Sequence, residues 1–455
     1  MPETALDPAT RRLYSDILRA PPGFVFDAAL ATTYSLDFET ALTIPATLAF
    51  QAAEARSELL DTPLALLEGL ERLADRIAIF CEAGRIKAVP KHPNRLTALL
   101  EDTITEVLAP QGGAFHPKLW VLRFIAPDDP SRVMLRLAIL SRNLTTDQSW
   151  DLSLVLDGTP APEPDDNAAL IALISALPGM APRGTTPRRN RDLVASFASA
   201  LAQVRWARPE GVRRIDFHVN GLGRPPWRPS PYRGLTVISP FVSAEALERL
   251  TQGVAPKAAR LVSRTEELAR IPAPVLARFG KVLVLDDLAE TEDGEESEAE
   301  ETCRADQPPR RGLHAKAFVT EHHSSTEITM GSGNATNAAL LNGANVEVFA
   351  TLTGPSRTLG SCEDQLEAKA ALGRFLPEYQ PVDLPETDSS DAAEKRLEQL
   401  RGQIVRAGLR LCCVPEAGER VALKLASAAT VVPPEGLEMR LWPLMAGAAQ
   451  GTKLA

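Results

Sequence analysis

Phe115-His116-Pro117-Lys118 precedes Leu140-Ser141-Arg142-Asn143-Leu144-Thr145, and Leu313-His314-Ala315-Lys316 precedes Gly331-Ser332-Gly333-Asn334-Ala335-Thr336. Both His-x-Lys pairs stand among apolar residues, and both Ser-x-Asn pairs directly follow a second apolar segment. Because alternate residues of an extended strand share a face, the members of each pair project together. The duplication predicts one site built from two similar halves of the chain.

The residue types in these pairs suit phosphoryl transfer. A histidine can attack or donate a proton, a lysine brings positive charge, and amides and hydroxyls donate hydrogen bonds to anionic oxygens. A degenerate copy that keeps the fold without the activity is the alternative interpretation. The candidate catalytic residues are His116, Lys118, Asn143, His314, Lys316 and Asn334, and the candidate phosphate-binding residues are Ser141 and Ser332.

The combination resembles the phospholipase D superfamily, whose members carry His-x-Lys and then Gly/Ser-Ser-x-Asn twice per active site. The resemblance covers the chain from about Phe24 to Gly354. It implies an α/β fold of two pseudosymmetric α/β sandwich halves with the active site between them, which a chain carrying both copies completes alone. Where many members have an aspartate after the lysine, this chain has Arg123 and Glu321. Branches that process nucleic acid, such as the tyrosyl-DNA phosphodiesterases, also lack that aspartate, so the departure favours a nuclease over a lipase.

The resemblance also implies a mechanism without metal or other cofactor. One histidine attacks phosphorus and forms a phosphohistidine, while the other protonates the leaving oxygen and then activates water. The N-terminal copy usually supplies the nucleophile, which points to His116. Many members place an acidic residue after the asparagine, where it hydrogen-bonds a catalytic histidine. Glu347 fits that position in the second half, and Asp151, at a shorter spacing, is the candidate in the first.

Length and segment composition predict three parts. A chain of 455 residues holds two or three domains. We expect a phospholipase D-like half at 1–205, a second such half at 206–355, and a C-terminal helical and β-rich region at 356–455. That last region is either a short α+β module or part of a longer polypeptide.

Cysteine usage and hydropathy predict a soluble cytoplasmic protein. The five cysteines form no Cys-x-x-Cys, so neither a disulfide framework nor a zinc site is indicated. No segment approaches the roughly 20 apolar residues that span a bilayer, and the N-terminus lacks a basic region leading into an apolar run. We therefore expect no metal and no membrane partner.

Charge is distributed unevenly along the chain. The net charge of -10 argues against indiscriminate nucleic-acid binding. However, arginines interleaved with Trp206, Trp227 and Tyr232 are typical of a surface that tracks a phosphate backbone and stacks on bases, with a solvated linker as the equal alternative. The acidic run Glu290 to Glu301 predicts a disordered loop, which either covers the site as a phosphate mimic or is a plain insertion.

Together these patterns predict a metal-independent phosphodiesterase, a nuclease that cleaves DNA or RNA through a phosphohistidine, with DNA favoured as partner. A role in restriction or anti-phage defence, with a helicase or ATPase partner, follows only by analogy with bacterial relatives. Homodimerisation stays open. The alternatives are a lipid phosphodiesterase (phospholipase or transphosphatidylase) and a catalytically silent nucleic-acid-binding subunit.

Overall fold

A computed structural model describes most of the chain. The described residues are 14–52, 71–87, 100, 102–145, 149–182, 185–285, 312–366, 373–382, 390–416, 418, 420–433, 438–442 and 451–453. The acidic run predicted as a loop at 290–301 lies outside them.

Strands dominate the architecture. In chain order they are β1 (Val25–Thr33), β2 (Leu36–Asp37), β3 (Ile77–Glu82), β4 (Ile86–Lys87), β5 (Ile104–Val107), β6 (Leu119–Ile125), β7 (Val133–Leu140), β8 (Ser153–Pro160), β9 (Val204–Trp206), β10 (Arg214–Asn220), β11 (Gly234–Ile238), β12 (Ala259–Ser263), β13 (Lys281–Val284), β14 (Ala317–Glu321), β15 (Ser325–Gly331), β16 (Glu347–Pro355), β17 (Arg410–Pro415), β18 (Val421–Ala426), β19 (Arg440–Leu441) and β20 (Thr452–Lys453).

Helices connect and cover these strands. They are α1 (Tyr14–Leu18), α2 (Phe38–Ala52), α3 (Ala168–Met180), α4 (Arg188–Leu201), α5 (Ala244–Leu250), α6 (Thr265–Leu268), α7 (Ala273–Leu276), α8 (Ser356–Leu359) and α9 (Ser390–Arg406), with 3-10 turns at Pro256–Ala258 and Gly373–Phe375 and a π turn at Asn337–Leu341. Among the described residues, no helix has the length and apolar character needed to cross a membrane.

Two seven-stranded sheets repeat one topology. The first has the order β5-β3-β1-β6-β7-β8-β9, and the second, read from its other edge, β13-β12-β11-β14-β15-β16-β10. In each, the third strand in this order pairs in parallel with one neighbour (β1 with β3, β11 with β12) and antiparallel with the other (β1 with β6, β11 with β14). An antiparallel meander then follows in both. The prediction of an α/β fold with two pseudosymmetric halves is confirmed.

Burial explains why these segments form strands at the centre of the sheets. All five residues of β11 and all five of β12 are buried. Strands covered on both faces become almost continuously apolar, which is typical of parallel pairing under helices. One apolar cluster joins residues of both sheets with α3 and α4, a second joins α2 to the first sheet, and a third joins α5 to the second sheet. The halves therefore share a core and present the same strand ends to each other.

Most strands and helices expected from the sequence are present, with two differences. The helix predicted from Ile271 to Phe279 is reduced to α7, because Pro272 stands at its N-cap and turns follow it. The helix predicted from Glu363 to Phe375 is wrong where the structure describes it: residues 363–366 form turns and Gly373–Phe375 is a 3-10 turn.

The arginine-rich connector does not form the base-stacking surface considered above. Trp206 and Trp227 are core residues, only 2% and 9% exposed. Nearby arginines pair with acids, as Arg205 does with Glu163 at 3.2 Å. The segment contains β9 and β10 and its two tryptophans pack in the core, so it is neither a base-stacking surface nor a solvated linker between the halves.

The two halves meet through close backbone contact near His116. A Cβ placed on Gly113 would clash with the backbone of Ala344 in the second half. A Cβ placed on Gly179, near the end of α3, would meet no heavy atom within 4 Å.

We expect Gly113→Ala to push the halves apart and to cost roughly 1–3 kcal/mol of unfolding free energy, the usual range for overpacking. Gly179→Ala is the matched control and should be neutral or slightly stabilising, because alanine favours a helix over glycine. The midpoint of thermal unfolding of the two variants measures the difference. Equal midpoints for both variants would show that the halves do not depend on this contact.

Candidate active site

Both His-x-Lys pairs lie immediately before a strand, rather than inside it as the sequence suggested. Pro117 has no N–H to give a sheet, and the N–H of His116 donates instead to the carbonyl of Val346 in the other half, at 2.9 Å. In return the N–H of Val346 donates to the carbonyl of Ala114, at 2.9 Å. These bonds tie the first histidine to the second half.

The other histidine makes the same two backbone bonds, with the roles of the two halves exchanged. The N–H of His314 donates to the carbonyl of Trp150, and the N–H of Trp150 to the carbonyl of Gly312, both at 2.9 Å. The segment before each histidine thus forms a short parallel bridge with the segment before the acidic residue of the other half. This pairing makes Asp151 the structural equivalent of Glu347.

Each acidic residue is held by the serine of its own half. Ser332 Oγ donates to Glu347 Oε2 at 2.5 Å, and Ser141 Oγ donates to Asp151 Oδ1 at 3.3 Å. Both hydroxyls also accept the backbone N–H of the residue directly after the acid, from Val348 and from Leu152. The serines are buried and orient the carboxylates; direct contact with a phosphate stays a prediction.

Each acid lies near the histidine of the opposite half, but at a different distance. Glu347 Oε2 lies 3.0 Å from His116 Nδ1, while Asp151 Oδ1 lies 3.7 Å from His314 Nδ1. His314 Nδ1 lies closer to the carbonyl oxygen of Ser141, at 3.0 Å. Since both acceptors face Nδ1, each neutral imidazole carries its proton there and keeps the Nε2 lone pair available.

The lysines are buried beside the histidines. Lys118 and Lys316 are each 1% exposed, and each Nζ donates to the carbonyl of the histidine two residues earlier, at 3.0 and 2.8 Å. Burial and the charge of Lys316 hold the pKa of Lys118 well below its usual value. The site therefore concentrates positive charge that a phosphate can neutralise.

Hydroxyl groups at the carboxyl ends of β1 and β11 hold the chain next to the two asparagines. Thr33 Oγ1 accepts the N–H of Leu144, and Ser239 Oγ accepts the N–H of Ala335, so the residue after each asparagine is held in the same way. Oδ1 of Asn143 and Oδ1 of Asn334 are buried without a hydrogen-bond partner. The unpartnered atom is an acceptor in both residues, so it is not itself a site for an anion; the NH₂ group of each half-buried amide is the donor that a phosphate oxygen could accept from.

The electrostatics of the first histidine favour a neutral imidazole beside an ionised carboxylate. Burial lowers the pKa of His116 below its usual value, and Glu347 opposes that shift. Burial would raise the pKa of Glu347, but its contacts with His116, Lys118 and Ser332 bring that pKa below its ordinary value. With its pKa below the ordinary value, His116 is mostly uncharged at neutral pH and keeps its lone pair on Nε2.

The second histidine lies in a more positive environment. Burial, Lys316, Lys118 and Arg264 together lower the pKa of His314 to about 2. Arg264 directly follows β12, and its Nε donates to the carbonyl of Leu313 at 2.9 Å. At the matching end of β3, Glu82 accepts the N–H of Phe115 at 2.6 Å.

Sequence reasoning missed Glu82 and Arg264, which hold the segments before the two histidines. The signal available was their place at the ends of strands that the sequence did predict, where functional side chains of α/β sheets gather. The opposite charges at matching positions make the two histidines unequal, although the fold around them is symmetric.

The positions where related motifs have aspartate lie away from the histidines. Arg123 pairs with Asp27 at 2.5 Å, and Glu321 Oε2 accepts the N–H of Cys362 at 3.4 Å. Both contacts belong to packing, so the missing aspartates remove nothing from the site.

No group of three histidine, cysteine, aspartate or glutamate residues that could hold a metal ion occurs among the described residues.

Comparison with known proteins gives fold-level similarity of low strength. No family model matches the sequence, and no curated protein matches it. A solved structure of a yeast tyrosyl-DNA phosphodiesterase mutant is similar at 11% identity, with 78% of this chain and 88% of that chain covered and a TM-score of 0.43. A polyphosphate kinase from Porphyromonas gingivalis is similar at 13% identity, with 74% and 44% covered and a TM-score of 0.34. What the chain does must therefore be argued from its own site.

The pKa of His116 provides a direct check of the site. We expect His116 to titrate below 6.5, and Glu347→Gln to lower its pKa further, because the carboxylate is the group that opposes the effect of burial. Asp151→Asn is the matched control and should move the His116 pKa less, since Asp151 lies nearer to His314. Nitrogen NMR of histidine-labelled protein measures these values. A His116 pKa that rises in Glu347→Gln would contradict the assigned pairing.

Proposed function

We propose that the chain is a metal-independent phosphodiesterase that cleaves nucleic acid through a phosphohistidine. The observation that carries this proposal is the joint site, in which a neutral His116 held by an ionised Glu347 lies close enough to the other half's His314 and Lys316 to interact electrostatically with them. A nucleophile, a second imidazole and buried cations are the groups that in-line displacement at phosphorus requires.

In the first step His116 Nε2 forms a bond to phosphorus and the bond from phosphorus to the leaving oxygen breaks. Glu347 stabilises the positive charge that develops on the imidazole, as a carboxylate does for a catalytic histidine. Lys118 and Lys316 offset the charge that builds on the non-bridging oxygens.

His314 donates the proton that the leaving oxygen takes. Its pKa of about 2 reflects burial and the cations around it. A bound phosphodiester brings negative charge to those cations and raises this pKa, so the imidazole can hold the proton that the leaving oxygen takes. In the second step the neutral His314 accepts a proton from water, whose oxygen displaces His116 from phosphorus.

Cleavage in the presence of EDTA tests the proposal. Wild type should cleave labelled single- or double-stranded DNA or RNA in excess EDTA, and His116→Ala and His314→Ala should each lower turnover by roughly 10³-fold or more. His323→Ala, at an exposed residue away from the site, is the matched control and should retain activity. If wild type cleaves no nucleic acid, or cleaves it only with added metal, the proposal fails; activity on phospholipid vesicles would then favour the lipid alternative.

A substrate with an activated leaving group separates the two histidines. With the p-nitrophenyl ester of thymidine phosphate the leaving oxygen needs no proton, so His314→Ala should release about one equivalent of nitrophenolate per chain in a burst and then stall as a covalent adduct. His116→Ala should show no burst. The adduct should be acid-labile and alkali-stable, as expected of a phosphorus–nitrogen bond. A burst from His116→Ala alone would exchange the two roles.

A further inference from the structure

The proposed function uses the histidines, lysines and asparagines but leaves an exposed aromatic residue beside them unexplained. Phe241 follows β11 in the loop at the carboxyl end of the strand and is 38% exposed. Ser239 Oγ donates to the Phe241 carbonyl at 2.7 Å and also accepts the N–H of Ala335, the residue after Asn334. The backbone of Phe241 is thus tied to the loop that carries a candidate catalytic residue.

Arg264 links this ring to His314. Its guanidinium carbon lies 5.0 Å from the centre of the Phe241 ring, and its Nε donates to Leu313, directly before His314. At this position the charge of Arg264 also contributes to the low pKa of His314. An aromatic surface and a guanidinium therefore stand together on the His314 side of the site.

This pair distinguishes among the phosphodiesters that the site could accept. A phosphate alone gains nothing from an exposed ring, whereas a nucleobase stacks on one. A choline headgroup also prefers aromatic faces, but the positive charge of Arg264 at this ring repels a quaternary ammonium ion. The combination fits a base on the ring and its neighbouring phosphate on the guanidinium.

We propose that Phe241 and Arg264 form a nucleotide subsite on the leaving-group side of the scissile phosphate, with Phe241 stacked on an unpaired base. This inference rests on the proposed function, in which His314 serves the leaving oxygen. A base on Phe241 has left its own duplex stack, so the preferred substrate is single-stranded nucleic acid.

The His116 side carries a related but different pair. Arg85 lies 4.8 Å from the centre of the Tyr34 ring, and that ring packs edge-on against His116 with centroids 5.1 Å apart. Tyr34 is therefore engaged with the histidine itself, whereas Phe241 is the more exposed of these two rings.

Binding and turnover of three DNA probes test the subsite. The probes are an oligothymidylate, an abasic deoxyribose phosphate oligomer of equal length, and a duplex of the same length. Affinity is measured by fluorescence anisotropy on the His116→Ala chain, and kcat/KM on the wild-type background. We expect oligothymidylate to bind roughly tenfold or more tightly than the abasic oligomer, in line with the stacking of one base, and more tightly than the duplex at equal salt.

Substitutions at the ring identify its contribution. Phe241→Leu should lose most of the base preference while binding the abasic oligomer within about twofold of the parent, and Phe241→Trp should keep the preference because indole also stacks. The matched control is Phe24→Leu, because Phe24 also packs against an arginine, Arg132, at 5.6 Å. That pair lies at the other end of β1, about 30 Å from the site by the rise of an extended strand, and the control should behave as the parent.

The possible results separate the inference from the proposed function. Equal affinity for the thymidylate and abasic oligomers, no binding of either, or a base preference that persists in Phe241→Leu would overturn the subsite. Cleavage in EDTA under any of these results would leave the proposed phosphodiesterase standing. Base-dependent binding that Phe241→Leu abolishes, without cleavage by wild type, would support the subsite and reject the proposed reaction.

Discussion

The buried carboxylate of Glu347 is the constraint on which the rest of the site depends. The residue is 0% exposed, and taking an ionised carboxylate out of water costs several kcal/mol unless partners compensate for the lost hydration. Ser332 and Asn345 donate to it from its own half, and His116 bonds to it from the other. Because one of the three comes from the first half, the carboxylate is fully partnered only when the halves dock. Docking of the halves and formation of the His116–Glu347 pair are therefore a single requirement.

The same docking confines two buried lysines in one place, which opposes stability. Lys118 and Lys316 repel each other, and burial deprives both of solvent. Glu347 and Asp151 offset part of this charge. In the proposed reaction a phosphodiester removes more of the repulsion, and a transition state with more charge on its oxygens removes more still. Under that proposal, the repulsion between the lysines in the free site favours binding of the transition state.

The sequence was sufficient for the parts of this arrangement that depend on local pattern. The duplicated pairs, the buried strands around them and the α/β class all follow from residue type and alternation. The cross-half contact of Glu347 with His116 could not be predicted, because pattern does not say which copy of a duplicated motif an acid will meet. Burial could not be read from the sequence either. A tryptophan among arginines occurs both in surfaces that stack bases and in the core of a sheet, where Trp206 lies. The equivalence of Asp151 with Glu347 was obscured because the second loop, which contains the π turn Asn337–Leu341, is longer in sequence than the first.

The fold around the two histidines is symmetric, but the charges around them are not, and this makes the two sides of the site different. Two identical halves would place two histidines with identical properties, and neither would be distinguished as nucleophile. Here the matching strand ends carry Glu82 on one side and Arg264 on the other, each bonded to the segment before its histidine. The closer and more deeply buried acid also stands on the side of Glu82, so His116 has a carboxylate partner while cations surround His314. The duplicated backbone brings the imidazoles together, and in the proposed reaction a few different charges at equivalent positions divide the two roles between them.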